Sequence, residues 1–155
     1  MIMQITSDDN YIDLMCECAS HTDDVNKLWA FAHSDIADVR YATATNIYTP
    51  LEILEYLVDD LDFRVRSAVA QSCRLSIDVC WKLAKDANAT VRYMIATNVN
   101  LADILTFLSD DVDDKVRRAV ACNLNTPIPV CQKLTKDANH TVSYWAWLRF
   151  TYTIY

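Results

Sequence analysis

Four arginines, Arg40, Arg66, Arg92 and Arg117, stand at one place in a segment that returns every 25 or 26 residues. A row of guanidinium groups could hold phosphates or acidic side chains, because each planar fork matches an oxyanion with paired hydrogen bonds. The chain also supplies acceptors at the same period, Asp60, Asp86, Asp111 and Asp137. The simpler role for the ladder is therefore structural, with each arginine paired to an aspartate and bracing adjacent loops. Cys16, Cys18, His21 and His33 are metal-ligating types lying near one another. Two residues apart on a helix, Cys16 and Cys18 point about 200° away from each other, and the spacing fits no zinc finger. Cys73 or Cys122 with His140 forms no nucleophile motif. The absence of glycine removes the phosphate-cradling loops of the P-loop and dinucleotide kinds. No catalytic residue, metal or cofactor is expected.

What must position these residues is a repeat. Val39-Arg40-Tyr41-Ala42-Thr43-Ala44-Thr45-Asn46 is followed by Val65-Arg66-Ser67-Ala68-Val69-Ala70, then by Val91-Arg92-Tyr93-Met94-Ile95-Ala96-Thr97-Asn98 and Val116-Arg117-Arg118-Ala119-Val120-Ala121-Cys122-Asn123. Val142 opens a degenerate fifth copy. A unit this short cannot bury its own apolar face, so neighbouring copies must stack. Before each Val-Arg segment runs a one-sided apolar stripe: Ile53, Leu54, Leu57 and Val58, then Val79, Cys80, Leu83 and Ala84, then Ile104, Leu105 and Leu108, then Val130, Cys131 and Leu134. That spacing predicts a short amphipathic helix of about two and a half turns. Thr49-Pro50-Leu51-Glu52 reads as a capping box for it, with Asn100 and Thr126 in the equivalent starting role. Asp62, Asn88, Asp113 and Asn139 read as N-caps of the second helix. With no glycine, Asn46, Asn98 and Asn123 are the expected left-handed C-terminal caps, and some last turns are expected to tighten to 3₁₀.

The reading is an all-α solenoid of about five two-helix repeats in a single domain spanning 1–155. Residues 23–142 form the repeats, and residues 1–22 form an N-terminal capping helix outside the repeat register, with Ser7 as its N-cap. Residues 143–155 form an aromatic C-terminal cap, with six aromatics between Tyr144 and Tyr155, which either plugs the stack or forms a sticky interface. The N-terminus lacks the features of a secretory signal, and no apolar run reaches the roughly 20 residues of a spanning helix. A cytoplasmic protein with no membrane partner and with reduced, buried cysteines is expected. The net charge of −7 divides unevenly: residues 1–62 carry thirteen acidic side chains and two basic ones, a net −11, whereas residues 63–155 carry a net +4.

The units resemble those of the leucine-rich repeat variant family, a relative of HEAT-type repeats. The segments that carry the likeness are Leu83-Ala84-Lys85-Asp86-Ala87-Asn88-Ala89-Thr90-Val91-Arg92 and the run from Val116-Arg117 through Asn123 to Thr126-Pro127. The resemblance covers about residues 23–142. It implies a right-handed superhelix whose units pair an α-helix with a 3₁₀-helix, and it implies a fold more than an activity. Some members carry an N-terminal iron–sulfur cluster, but Cys16 and Cys18 fall short of the four thiolates that a cluster takes.

Stacked helices present a rigid surface on which side chains vary while the scaffold repeats. The expected function is therefore a non-enzymatic protein–protein interaction module, an adaptor or inhibitor. Recognition is expected at the variable positions Glu55, Trp81, Thr106 and Gln132, and at the acidic residues Asp23, Asp24, Asp35 and Asp38. The alternatives are nucleic-acid binding through the basic C-terminal half, with Trp81 stacking on a base beside Lys82, and an acidic N-terminal half that mimics nucleic acid. Self-association of the acidic end with the basic end is a further possibility.

Overall fold

The computed structural model describes residues 8–72 and 74–154. Among these residues, helix α1 (Asp8–His21) is followed by five helix pairs: α2 (Val25–Ala32) with α3 (Ala37–Thr45), α4 (Leu51–Leu57) with α5 (Phe63–Val69), α6 (Ile77–Ala84) with α7 (Ala89–Asn98), α8 (Ala102–Leu108) with α9 (Asp114–Cys122), and α10 (Ile128–Leu134) with α11 (His140–Ile154). The fold is an all-α helical repeat, and no strand occurs among the described residues. The helices group into two compact units, Met1–Val69 and Ala70–Tyr155. In the first, α1, α3 and α5 pack side by side as one layer, and α2 and α4 lie against it. In the second, α7, α9 and α11 form the layer, with α6, α8 and α10 packed against it.

Each anchoring valine is buried: Val39, Val65, Val91 and Val116 at 0% and Val142 at 1%. The apolar stripes of the first helices meet them, with Leu28, Ile53, Leu54 and Leu57 inside the first unit and Leu83, Ile104, Leu105, Leu108 and Leu134 inside the second. Alanines buried in the second helices, among them Ala68, Ala96 and Ala121, have no side chain beyond Cβ to hold neighbouring helices apart. Both helices of a pair are α-helical among the described residues, which departs from the α-plus-3₁₀ unit the resemblance implied. Tightening is confined to the ends. Each first helix that leads into an aspartate closes with an i→i−3 bond from that aspartate's amide: Asp60 to Leu57, Asp86 to Leu83, Asp111 to Leu108 and Asp137 to Leu134, at 3.0–3.2 Å.

Several capping expectations are corrected. Helix α4 begins after Pro50 and α8 after Leu101, neither with a side-chain cap bond, so Thr49 and Asn100 are not N-caps. Thr49 instead donates its hydroxyl backwards, to the Thr43 carbonyl in the last turn of α3 at 2.6 Å, and Thr126 does the same to Val120 in α9 at 2.5 Å. The asparagines are not left-handed. Asn46 has φ −68° and ψ 127°, and Asn123 has φ −69° and ψ 128°. In this extended conformation their side-chain amides reach the preceding second helix. Asn46 Nδ2 donates to the carbonyls of Ala19 and Thr22, both at 2.8 Å. Asn123 Nδ2 donates to Ala96 at 2.8 Å and Val99 at 2.9 Å. A helix leaves its last carbonyls without intrahelical donors, and glycine caps usually serve them. Here the next repeat supplies the donor.

The same bond places α1. Asn46 reads carbonyls 27 and 24 residues upstream, the separations that Asn123 uses. Helix α1 is thus in register as a second helix, with buried Ala19 in the alanine position, and not outside the repeat as its sequence suggested. Met15, Cys16, Phe31 and Ile36 complete its cluster with Ala19, Val39 and Ala42. The expected Ser7 cap lies outside the described residues. Asn98 breaks the pattern: it stays inside α7, exposed, and donates to Met94 of its own helix at 2.8 Å. The N-caps of the second helices follow the sequence reading, with Asp62, Asn88, Asp113 and Asn139 accepting from Arg64, Thr90, Lys115 and Thr141 at 2.8 Å.

Candidate interaction surface

The arginine ladder is bound into the scaffold. Arg40 Nε and Nη2 donate to Asp60 at 2.6 and 2.9 Å, Arg92 to Asp111 at 2.7 and 2.8 Å, and Arg117 to Asp137 at 2.7 and 3.1 Å. The opposite edge holds the chain's own loop. Nη1 of Arg40, Arg66, Arg92 and Arg117 donates to the carbonyls of Ser34, Asp60, Asp86 and Asp111 respectively, at 2.7–2.9 Å. Each aspartate also accepts from the amide two residues on, as in Asp113 to Asp111 at 2.9 Å and Asn139 to Asp137 at 2.8 Å. The Arg117 hydrogen bond, with help from that amide, holds the Asp137 carboxyl below the usual range against the opposing effect of burial. Burial alone would raise the Asp111 carboxyl, but the Arg92 bond and the Asp113 amide together bring it below that range. These are clamps, each tying one repeat's loop to the next repeat.

The variable positions sit on the first helices. Glu55 (α4), Thr106 (α8) and Gln132 (α10) are exposed and Trp81 (α6) is half-buried. The sequence reading passed over a fifth member, Trp29 on α2. The signal was present, since Leu28 aligns with Leu54 and so sets Trp29 beside Glu55. Around each tryptophan the same constellation forms. In the first unit, Trp29 meets Tyr56 of α4 edge-on, with centroids 5.8 Å apart at 62°, and His33, one turn after Trp29, stacks on Tyr56 at 4.6 Å. His33 Nδ1 lies 2.8 Å from the Trp29 carbonyl. A carbonyl only accepts, so Nδ1 carries the proton. In the second unit, Trp81 meets Phe107 of α8 at 5.5 Å and 65°, and Lys85, one turn after Trp81, sets Nζ 5.3 Å from the Trp81 ring centroid. A different contact joins the next pair of first helices: Lys133 of α10, one position past the aligned Gln132, donates to Asp110 at 2.6 Å and to Ser109 Oγ at 3.0 Å. The first constellation borders a cavity of about 430 Å³ whose lining includes His33, Asp35, Arg40, Tyr56 and Asp60.

The acidic candidates divide. Asp24 caps α2, accepting from Asn26 at 3.0 Å, and lies 4.0 Å from Lys27. Asp38 pairs with Arg64 at 2.7 Å, an arginine that Asp62 also holds at 2.7 Å. Asp23 and Asp35 are exposed, and Asp35 gives only its backbone carbonyl, to Arg40 at 3.1 Å. Half of this set is therefore occupied within the fold. Thr106 uses its hydroxyl on the Ala102 carbonyl at 2.7 Å. Two lysines of the basic C-terminal half are engaged within the fold too, Lys85 with Trp81 and Lys133 with Asp110.

Cys16, Cys18, His21 and His33 do not converge. His21 Nδ1 faces the Glu17 carbonyl at 2.9 Å, and no group of three or more potential metal ligands meets among the described residues. Cys80 and Cys131 are buried, but Cys18 and Cys122 are exposed, which corrects the expectation of buried thiols throughout; Cys73 lies outside the described residues. On α11, Val142 and Ala146 face inward, whereas Tyr144, Trp145, Trp147 and Tyr152 keep 42–81% of their surface exposed.

No family model matches the chain, and no curated protein matches it. A solved structure described as a leucine-rich repeat variant with a novel repetitive protein structural motif is similar to it, with a TM-score of 0.43 and 19% identity over 91% of this chain and 82% of that one. No helix is long and apolar enough to cross a membrane among the described residues.

Proposed function

We propose that this chain is a non-enzymatic protein-interaction module, an adaptor or inhibitor, that binds a protein partner through its first-helix surface. The observation that carries the reading is a division of labour between positions. The Arg–Asp clamps and the asparagine stitches recur with the same geometry, while Trp29, Glu55, Trp81, Thr106 and Gln132 change in chemistry at one register position. Rigid aromatic side chains held edge to face by their neighbours are strong anchors for binding, since little rotamer freedom is left to lose. Trp81 already has Lys85 near its ring and Phe107 against it, which leaves it poorly suited to stacking on a nucleobase. A cytoplasmic location is part of the proposal.

Affinity capture from the native host tests it. A protein recovered with the wild type, and lost with Trp81→Ala combined with Phe107→Ala or with Trp29→Ala combined with Tyr56→Ala, supports the reading. A gel shift with DNA or RNA, whose log affinity falls as log salt rises, replaces it with the nucleic-acid alternative.

A further inference from the structure

Arg118 is unlike its neighbours. Arg117, one residue before it, is clamped to Asp137, whereas half-buried Arg118 has no hydrogen-bond acceptor and no ion-pair partner among the described residues. It lines a cavity of about 270 Å³ with Tyr93 of α7, Cys122 of α9 and Trp145 of α11. A guanidinium withdrawn partly from water without an acceptor has lost hydration with nothing in return, so the cavity favours an anion. Its surroundings agree. Helices α7 and α11 contain no acidic side chain, and the one carboxylate within α9 is Asp114, at the far end of that helix and engaged by Asn139.

The volume argues for a small group. It falls short of the roughly 300–1,000 Å³ of ordinary small-molecule sites, but it admits a side chain. A single carboxylate feels mainly the charges within a screening length of about 8 Å, not the net −7 of the whole chain. Trp145 adds an aromatic surface that is 42% exposed.

We propose that the Arg118–Trp145 cavity is a docking pocket for one acidic side chain, aspartate or glutamate, of a protein partner, with an adjoining apolar residue of that partner against Trp145. This rests on the protein-interaction reading but uses the second helices instead of the Trp29 and Trp81 rows.

The test is fluorine NMR on protein labelled with fluorotryptophan, with the Trp145 resonance assigned from Trp145→Phe. The probes are the capped peptide acetyl-Leu-Glu-Leu-amide, its glutamine counterpart and a thymidine oligonucleotide. A saturable shift of the Trp145 resonance with the glutamate peptide is expected at about millimolar affinity. It should weaken at least about fivefold with the glutamine peptide and in Arg118→Gln, with Arg118→Lys retaining part of the response. No saturation by about 10 mM, or an equal response to the glutamine peptide, overturns the proposal. A stronger response to the oligonucleotide than to the glutamate peptide also overturns it. The glutamine-peptide comparison uses the wild type, so it stands even if a variant folds poorly. Failure here with capture still lost in the Trp81 and Phe107 variant would refute this pocket and leave the interaction module in place.

Discussion

Asn98 and Asn123 occupy the same place in successive repeats of one unit, yet replacing each by alanine should have very different consequences. Asn123 is 7% exposed, and its side chain makes three short bonds: to the Ala96 carbonyl at 2.8 Å, to the Val99 carbonyl at 2.9 Å, and from the Asn125 amide at 2.8 Å. A typical net contribution of about 1 kcal/mol per bond gives about 3 kcal/mol for Asn123→Ala. The true loss would be larger if water cannot reach the two orphaned carbonyls. Asn98 is exposed and makes one bond to its own preceding turn at 2.8 Å. Alanine there forfeits less than about 1 kcal/mol and regains about 0.6 kcal/mol of helix propensity, so Asn98→Ala should be nearly neutral. Urea unfolding followed by circular dichroism reads both. With a slope of about 2 kcal/mol per molar, Asn123→Ala should lower the midpoint by about 1.5 M and Asn98→Ala by less than about 0.3 M. Equal shifts for the two variants would refute the view that asparagine caps the preceding repeat's helix.

Arg92→Met should cost about 3 kcal/mol, because it leaves the Asp111 carboxylate, 6% exposed, without its partner; a double-mutant cycle with Asp111→Asn should recover most of that as coupling. Stability should stay level from pH 7 to about 5 and fall below about 4. The Asp111 and Asp137 carboxyls are held low in the folded protein, so their contribution is present above the unfolded-state value and is lost as pH drops through the folded one. Asp137→Asn should flatten that acid limb, as denaturation at stepped pH would reveal. Iodoacetamide applied to the native protein should modify Cys18 and Cys122, whereas Cys80 and Cys131 should react only after unfolding; mass spectrometry of the peptides distinguishes the sites.

The stripe Ile53, Leu54, Leu57 and the valine at the head of each second helix were legible because burial at helical spacing is a property of a few consecutive residues. The N-caps Asp62, Asn88, Asp113 and Asn139 were legible for the same reason, since each acceptor and its donor are two residues apart. Thr49 was misread because its hydroxyl has two local options, the helix ahead and the helix behind, and sequence favours the first. The chain takes the second, since α4 starts behind a proline, which has no amide hydrogen to satisfy, while the last carbonyls of α3 need a donor. Trp29 stood at the aligned position, but its edge-on partner Tyr56 lies on the next repeat's first helix, a contact that no window of one helix contains.

By itself, the order of amino acids determined the period, the alternation of two short helices and the faces they bury, because those depend on spacing along a single strand of backbone. Tertiary packing decided which of two identical asparagines reaches into the previous repeat. It also decided that α1 joins the repeat, and that Arg117 is clamped while Arg118 is left facing a cavity. The reason is distance: a side chain's partner twenty-four to twenty-seven residues away is chosen by where the neighbouring helix ends, and adjacent residues on one helix point in different directions.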